Sequence, residues 1–84
     1  ANSENSYLAR RSLRGTDRIG MINDITRLTS KDLSVNIRRF NLGTEEGIFD
    51  GFIDLYVHDI ADLDMLINKL KKIPGIDTVI RTDL

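Results

Sequence analysis

From Phe49 to His58 the chain alternates without a break. Phe49, Gly51, Ile53, Leu55 and Val57 occupy one parity, and Asp50, Phe52, Asp54, Tyr56 and His58 the other. A period of two held over ten residues belongs to a strand with its odd residues on a core and its even ones on the opposite face. This strand sits past the middle of an 84-residue chain, a length that makes one domain. Whatever covers its odd face must come from the segments on either side.

The segment that follows is helical. Asp59 is a good N-cap, Asp62 suits the first turn, and Lys69, Lys71 and Lys72 suit the C-terminal end of the dipole. Ile60, Leu63, Leu66, Ile67, Leu70 and Ile73 form the expected buried stripe, and Pro74-Gly75 stops the helix. Ile76 to Thr82 is a final strand, with Thr78 and Ile80 on one face and Val79 on the other. On the N-terminal side, Leu33, Val35 and Ile37 alternate with polar residues, but Phe40 and Leu42 fall on the wrong parity. Either a bulge at Arg38-Arg39 restores the alternation, or those two residues meet a partner. Gly43 to Gly47 reads as the hairpin loop between these strands. Further upstream, Thr16-Asp17-Arg18-Ile19-Gly20 opens another helix, with Asp17 as its N-cap and Ile22, Ile25 and Leu28 as its stripe, Met21 alongside. It should end near Ser30 to Asp32. Tyr7 to Gly15 is the remaining strand; Arg11 interrupts its apolar face between Ala9 and Leu13, so a distorted or partnered strand is expected.

The order is β-α-β-β-α-β. Two helices of this size cover one face of four strands, and right-handed crossovers put the first and third strands in the centre. The expected fold is α+β: a ferredoxin-like sandwich, a four-stranded antiparallel sheet with both helices on one face. Residues 1–6 read as a disordered polar leader before a domain spanning 7–84, and the start without Met reads as an excised piece, although cleavage of an initiator Met before Ala1 would look the same.

Several function classes find no support in the residues. Twelve basic and thirteen acidic residues give a net charge of -1, which is neither a polybasic membrane anchor nor a strongly basic nucleic-acid binder. Without cysteine there is no thiolate ligand, nucleophile or disulfide. The single histidine, His58, has no second histidine with which to build a metal cluster or triad. The carboxylates read as helix caps or solubilising charges. No catalytic residue, metal ligand or cofactor is therefore expected, and no apolar run approaches the ~18 residues of a membrane span.

Two places could meet a ligand or partner. A glycine at a helix mouth lets a ligand approach free N–H groups at Asp17 to Met21, although Gly20 could equally serve close helix–strand packing. The outer face of the long strand carries Phe52 and Tyr56, faintly like an RNA-stacking sheet. Asp50 and Asp54 share that face and would repel phosphate, so contact with protein is favoured.

Asp17-Arg18-Ile19-Gly20-Met21-Ile22-Asn23-Asp24-Ile25 resembles the Asp-Arg-Pro-Gly-Leu-Leu-x-Asp-Ile opening of ACT domains, with Ile19 in place of the proline. Val35-Asn36-Ile37-Arg38, Gly47 and Leu70-Lys71-Lys72-Ile73-Pro74-Gly75-Ile76 continue the likeness, which covers about residues 9 to 83. Among ACT domains the chain is most similar to the one ending RelA/SpoT-type GTP pyrophosphokinases, which make and hydrolyse guanosine tetra- and pentaphosphate.

The resemblance implies a cytoplasmic regulatory module that pairs side by side as a homodimer and contacts other domains of its parent. An amino acid would bind between the loop of one copy (Asp17, Ile19, Gly20, Met21) and the second strand of the other (Asn36, Ile37). Arg38, Phe40, Leu42, Phe52 and Tyr56 would form a partner interface. The module would link amino-acid sensing to distant catalytic domains in the stringent response, without activity of its own. Alternatives are a ribosome- or tRNA-contact module of the same parent, with Arg10, Arg11, Arg14, Arg38 and Arg39, or an amino-acid sensor of another metabolic enzyme.

Overall fold

A computed structural model describes residues 6–31 and 35–82. Six elements follow in the order β1 (Tyr7–Thr16), α1 (Met21–Lys31), β2 (Val35–Glu45), β3 (Ile48–Val57), α2 (Ile60–Lys71) and β4 (Ile76–Thr82). The sheet is antiparallel in the order β2-β3-β1-β4, with the long alternating strand and β1 at its centre. Phe49, Ile53, Leu55 and Val57 of β3 join Leu13 of β1 in one core with Met21 and Ile25 of α1 and Leu63, Leu66 and Leu70 of α2. Both helices therefore cover the same face, and the even face of β3 carries no helix. This is the ferredoxin-like arrangement expected. The expected leader, apart from Ser6, lies outside the described residues, as does Leu33.

The parity break in β2 is a bulge. Ile37 pairs with Leu55 and Arg39 with Asp54, leaving Arg38 as the extra residue. The inserted residue returns Phe40 and Leu42 to the helix-bearing face, opposite Ile53 and Gly51. The strands run on through Gly43 to Glu45, so the loop shrinks to Glu46-Gly47, both at positive φ (52° and 80°). That pair matches the twist a two-residue hairpin needs.

Other expectations shift. β1 pairs with β3 in unbroken register across all ten residues, so Arg11 does not distort it; its Nη1 donates to the Arg10 carbonyl at 2.8 Å. The irregularity lies against β4, between Arg14 and Gly15. α1 starts at Met21, four residues beyond the expected cap. Gly20 stands in front of it at φ 86°, which an L side chain rarely adopts, and its carbonyl accepts from the Asp24 N–H at 2.9 Å. The late start turns the buried stripe to Met21, Ile25 and Thr29 and leaves Ile22 exposed. On α2, Asp59 caps as expected, its Oδ1 accepting from the Ala61 N–H at 2.9 Å. Ile60 is exposed, so the α2 stripe begins at Leu63.

Candidate functional site

Three of the four stretches that carry the family likeness, the Asp17 to Ile25 opening, Gly47 and the Leu70 to Ile76 close, meet at one end of the sheet. The Thr16 N–H donates to the Gly75 carbonyl at 2.8 Å, and the Asp17 N–H to the Gly47 carbonyl at 2.9 Å. The approach is close because neither Gly15 nor Gly75 has a side chain: a Cβ on Gly15 would run into the Gly75 carbonyl. Arg18 closes the corner. Its Nε donates to the Pro74 carbonyl, its Nη1 to the Ile19 carbonyl at 3.1 Å, and its Nη2 to Asp24 Oδ2 at 2.6 Å. One guanidinium thus ties the β1–α1 loop to the α2–β4 loop and to the first turn of α1.

The residues expected to hold a ligand are dispersed. Asp17, Ile19 and Gly20 are exposed in this corner, Ile19 completely. Met21 is buried in the core, with its methyl against Gly75, and offers no surface to a ligand. A Cβ on Gly20 would meet only Arg18 Nη1, at an ordinary 3.8 Å, so its glycine is required by the backbone angle and not by close packing. Asn36 and Ile37 lie at the other end of the sheet. Asn36 pairs opposite Tyr56, and Tyr56 opposite Leu8. From there to Thr16 is eight strand positions, about 27 Å. Within β2, Asn36 is exposed, while Ile37 packs on the core.

The five expected interface residues divide between the two faces. Phe40 and Leu42 stand on the helix-bearing side, where Leu42 packs on the core and Phe40 is exposed. Arg38, Phe52 and Tyr56 gather on the helix-free face. There Arg38 Nη1 donates to the Tyr56 hydroxyl at 3.2 Å, with its guanidinium 6.0 Å from the ring centre.

The helix-free face also holds a group that pattern reading missed. Asp54, expected as a solubilising charge, is 1% exposed. Arg10 of β1 grips it with two bonds, Nε to Oδ1 at 2.6 Å and Nη2 to Oδ2 at 2.9 Å, and Arg39 of β2 adds Nε to Oδ2 at 3.1 Å. Hydrogen bonds from Arg10 and then Arg39, with their charges, outweigh desolvation and hold the carboxyl at about 2, below the ordinary 3.8. The Arg10 guanidinium also lies 4.0 Å above the Phe52 ring. So Asp54 does not repel an approaching phosphate, and the exposed side of Phe52 already carries a cation. A shallow hollow of about 380 Å³ beside it is lined by Arg10, Arg14, Phe52, Thr78 and Ile80. Arg10, Asp54 and Arg39 come from three strands, 44 and 15 residues apart in the chain. Only the strand register could have revealed them. Among the described residues no three His, Cys, Asp or Glu side chains gather to hold a metal, and no helix is long and apolar enough to cross a membrane.

Comparison with known proteins supports one family. The family model described as the ACT domain matches residues 3–81. The crystal structure of the ACT domain from GTP pyrophosphokinase of Chlorobium tepidum is 36% identical, covers 92% of this chain and 99% of that one, and superposes with a TM-score of 0.85. The solution structure of that ACT domain gives 35% identity, 95% and 90% coverage and a TM-score of 0.82. The C-terminal domain of the MgtC protein from Mycobacterium tuberculosis shares the fold alone, at 17% identity, 89% and 86% coverage and a TM-score of 0.68. No curated protein matches. The β-α-β-β-α-β sandwich, the corner built from the Asp17–Gly20 loop, Gly47 and Gly75, and these likenesses agree: the chain belongs to the ACT-domain family, as a regulatory domain resembling that of a GTP pyrophosphokinase.

Proposed function

We propose that this domain regulates a GTP pyrophosphokinase-type enzyme of guanosine tetra- and pentaphosphate metabolism in the stringent response, and that it does so as a side-by-side pair. An amino acid is held between the Asp17–Gly20 loop of one copy and Asn36 of the other. Its carboxylate faces the Ile22 and Asn23 N–H groups in the first turn of α1, since those of Met21 and Asp24 already donate to the Arg18 and Gly20 carbonyls. The observation that carries this reading is the separation of about 27 Å between loop and Asn36 within one copy. A single chain cannot close both on a small molecule, whereas β2, an edge strand, can bring a second copy's loop to it. A ligand that binds one arrangement of the pair more tightly shifts the population toward it and biases the attached catalytic domains by that difference. The site differs from the one read from the family motif, since Met21 and Ile37 support it from the core.

Titrating free amino acids into the domain while following amide resonances tests the sensing. Shifts at residues 16–20 and 35–38 are expected. Silence there at millimolar concentration would sink it.

A second reading, contact with ribosomal RNA or tRNA, draws support from Arg10 and Arg39 on the carboxylate of Asp54, with Arg38 close by on Tyr56. It is weakened by the guanidinium already lying on Phe52. Salt-dependent binding of a structured RNA by this domain would favour it.

A further inference from the structure

We propose that the helix-free face of the sheet docks a second copy of this chain, face to face about a two-fold axis near Gly51. This interface is separate from β2-edge pairing and stands without it.

The face is polarised along its strands. At one end the bulge displays Arg38 and Arg39, and Arg39 remains 66% exposed while it holds Asp54. At the other end Glu45, on the same face, is exposed beside the turn with Glu46; Asp50 is exposed nearer the middle, opposite Arg14 of β1. Arg39 lies opposite Asp54 and Glu45 opposite Ile48, six positions apart along β3 or about 20 Å. The midpoint is Gly51, beside Phe52. A two-fold rotation there lays the arginine end of each copy on the glutamate end of the other, so the surface is complementary to itself. Between the charged ends Ile80 is 58% exposed and lines the hollow with Phe52, whose ring Arg10 overlies, and Ile48 is exposed at the acidic end opposite Glu45.

Asp54 makes this possible. A bare carboxylate there would be an uncompensated charge inside the contact, at its arginine end. Bound to Arg10 and Arg39 it enters already paired. A face of four strands, about 19 Å wide and about 25 Å long, buries on the order of 1,000 Å² over both copies. That is the threshold for a specific contact, so the dimer is weak and forms at high local concentration.

The test is sedimentation of the 84-residue chain from about 10 µM to about 1 mM, with the resonances of Ile80, Ile48 and Phe52 followed over the same range. The mass should rise toward a dimer while those signals move. Arg38→Glu or Glu45→Arg alone should weaken association about tenfold or more, and the two together should restore it. Neither residue touches the core, so both variants should fold. A monomer at every concentration, a rising mass with those resonances fixed, or a double variant that fails to recover would each overturn the proposal. So would a structured RNA that moves the same resonances in a chain that never self-associates.

Discussion

Asp54→Asn keeps the shape of the side chain and removes its charge, which makes it the sharpest probe of the helix-free face. A carboxyl held at about 2 against an ordinary 3.8 corresponds to at most about 2.4 kcal/mol of stability at neutral pH. The carboxylate is shut from water by a single layer of side chains, and the Arg39 partner is 66% exposed. Screening therefore reduces the expected loss to about 1–2 kcal/mol, below the 3–5 kcal/mol of a fully interior pair. In urea, with m of about 1 kcal/mol/M for a chain this short, the midpoint at pH 7 should fall by about 1–2 M with m unchanged. The pH dependence fixes the sign. A carboxyl with a lowered folded value stabilises above the unfolded value near 3.8 and loses that contribution as the pH falls through about 2. The wild-type advantage over Asp54→Asn should accordingly shrink between about pH 5 and pH 2. Equal midpoints at pH 7, or a difference that persists unchanged at pH 2, would refute the clamp.

Three further outcomes concern the corner and the helix caps. Gly75→Ala should cost about 2 kcal/mol or more by urea melting, since φ is 98° and the added Cβ would lie 2.5 Å from the Met21 methyl. Asp59→Ala removes the acceptor of the Ala61 N–H and should cost about 1 kcal/mol. Arg18→Ala should quicken hydrogen exchange at the Met21 and Asp24 amides, because the first turn of α1 loses the Arg18 bridge from Asp24 to Pro74, while the β3 amides stay protected.

The β3 alternation placed the buried face of the sheet and the parity slip at Phe40 and Leu42 offered a bulge as one of two readings, because period-two patterns report directly on which face is buried, while the central strands followed from crossover handedness. The start of α1 was not legible. Asp17 has the chemistry of a cap, but a positive φ at Gly20 delays the helix by three residues and rotates Met21 inward and Ile22 outward. Backbone sign at a glycine leaves no trace in composition. Asp54 was misread for a different reason. A carboxylate on an outward strand position looks like a surface charge until the register sets Arg10 and Arg39 on either side of it. The candidate ligand residues were legible as a motif, but their separation across the sheet was not, since it depends on how β1 and β2 pair with β3.

Mixing two defective copies tests the pair most directly. Ile19→Asp alters only a fully exposed loop position, and Asn36→Ala only an exposed strand position. Each variant alone should fail to bind an amino acid that the unaltered domain binds. An equimolar mixture should recover binding, because each mixed pair rebuilds one intact site from the loop of one copy and the strand of the other. Full binding by either variant alone, or none in the mixture, would contradict a site shared between copies.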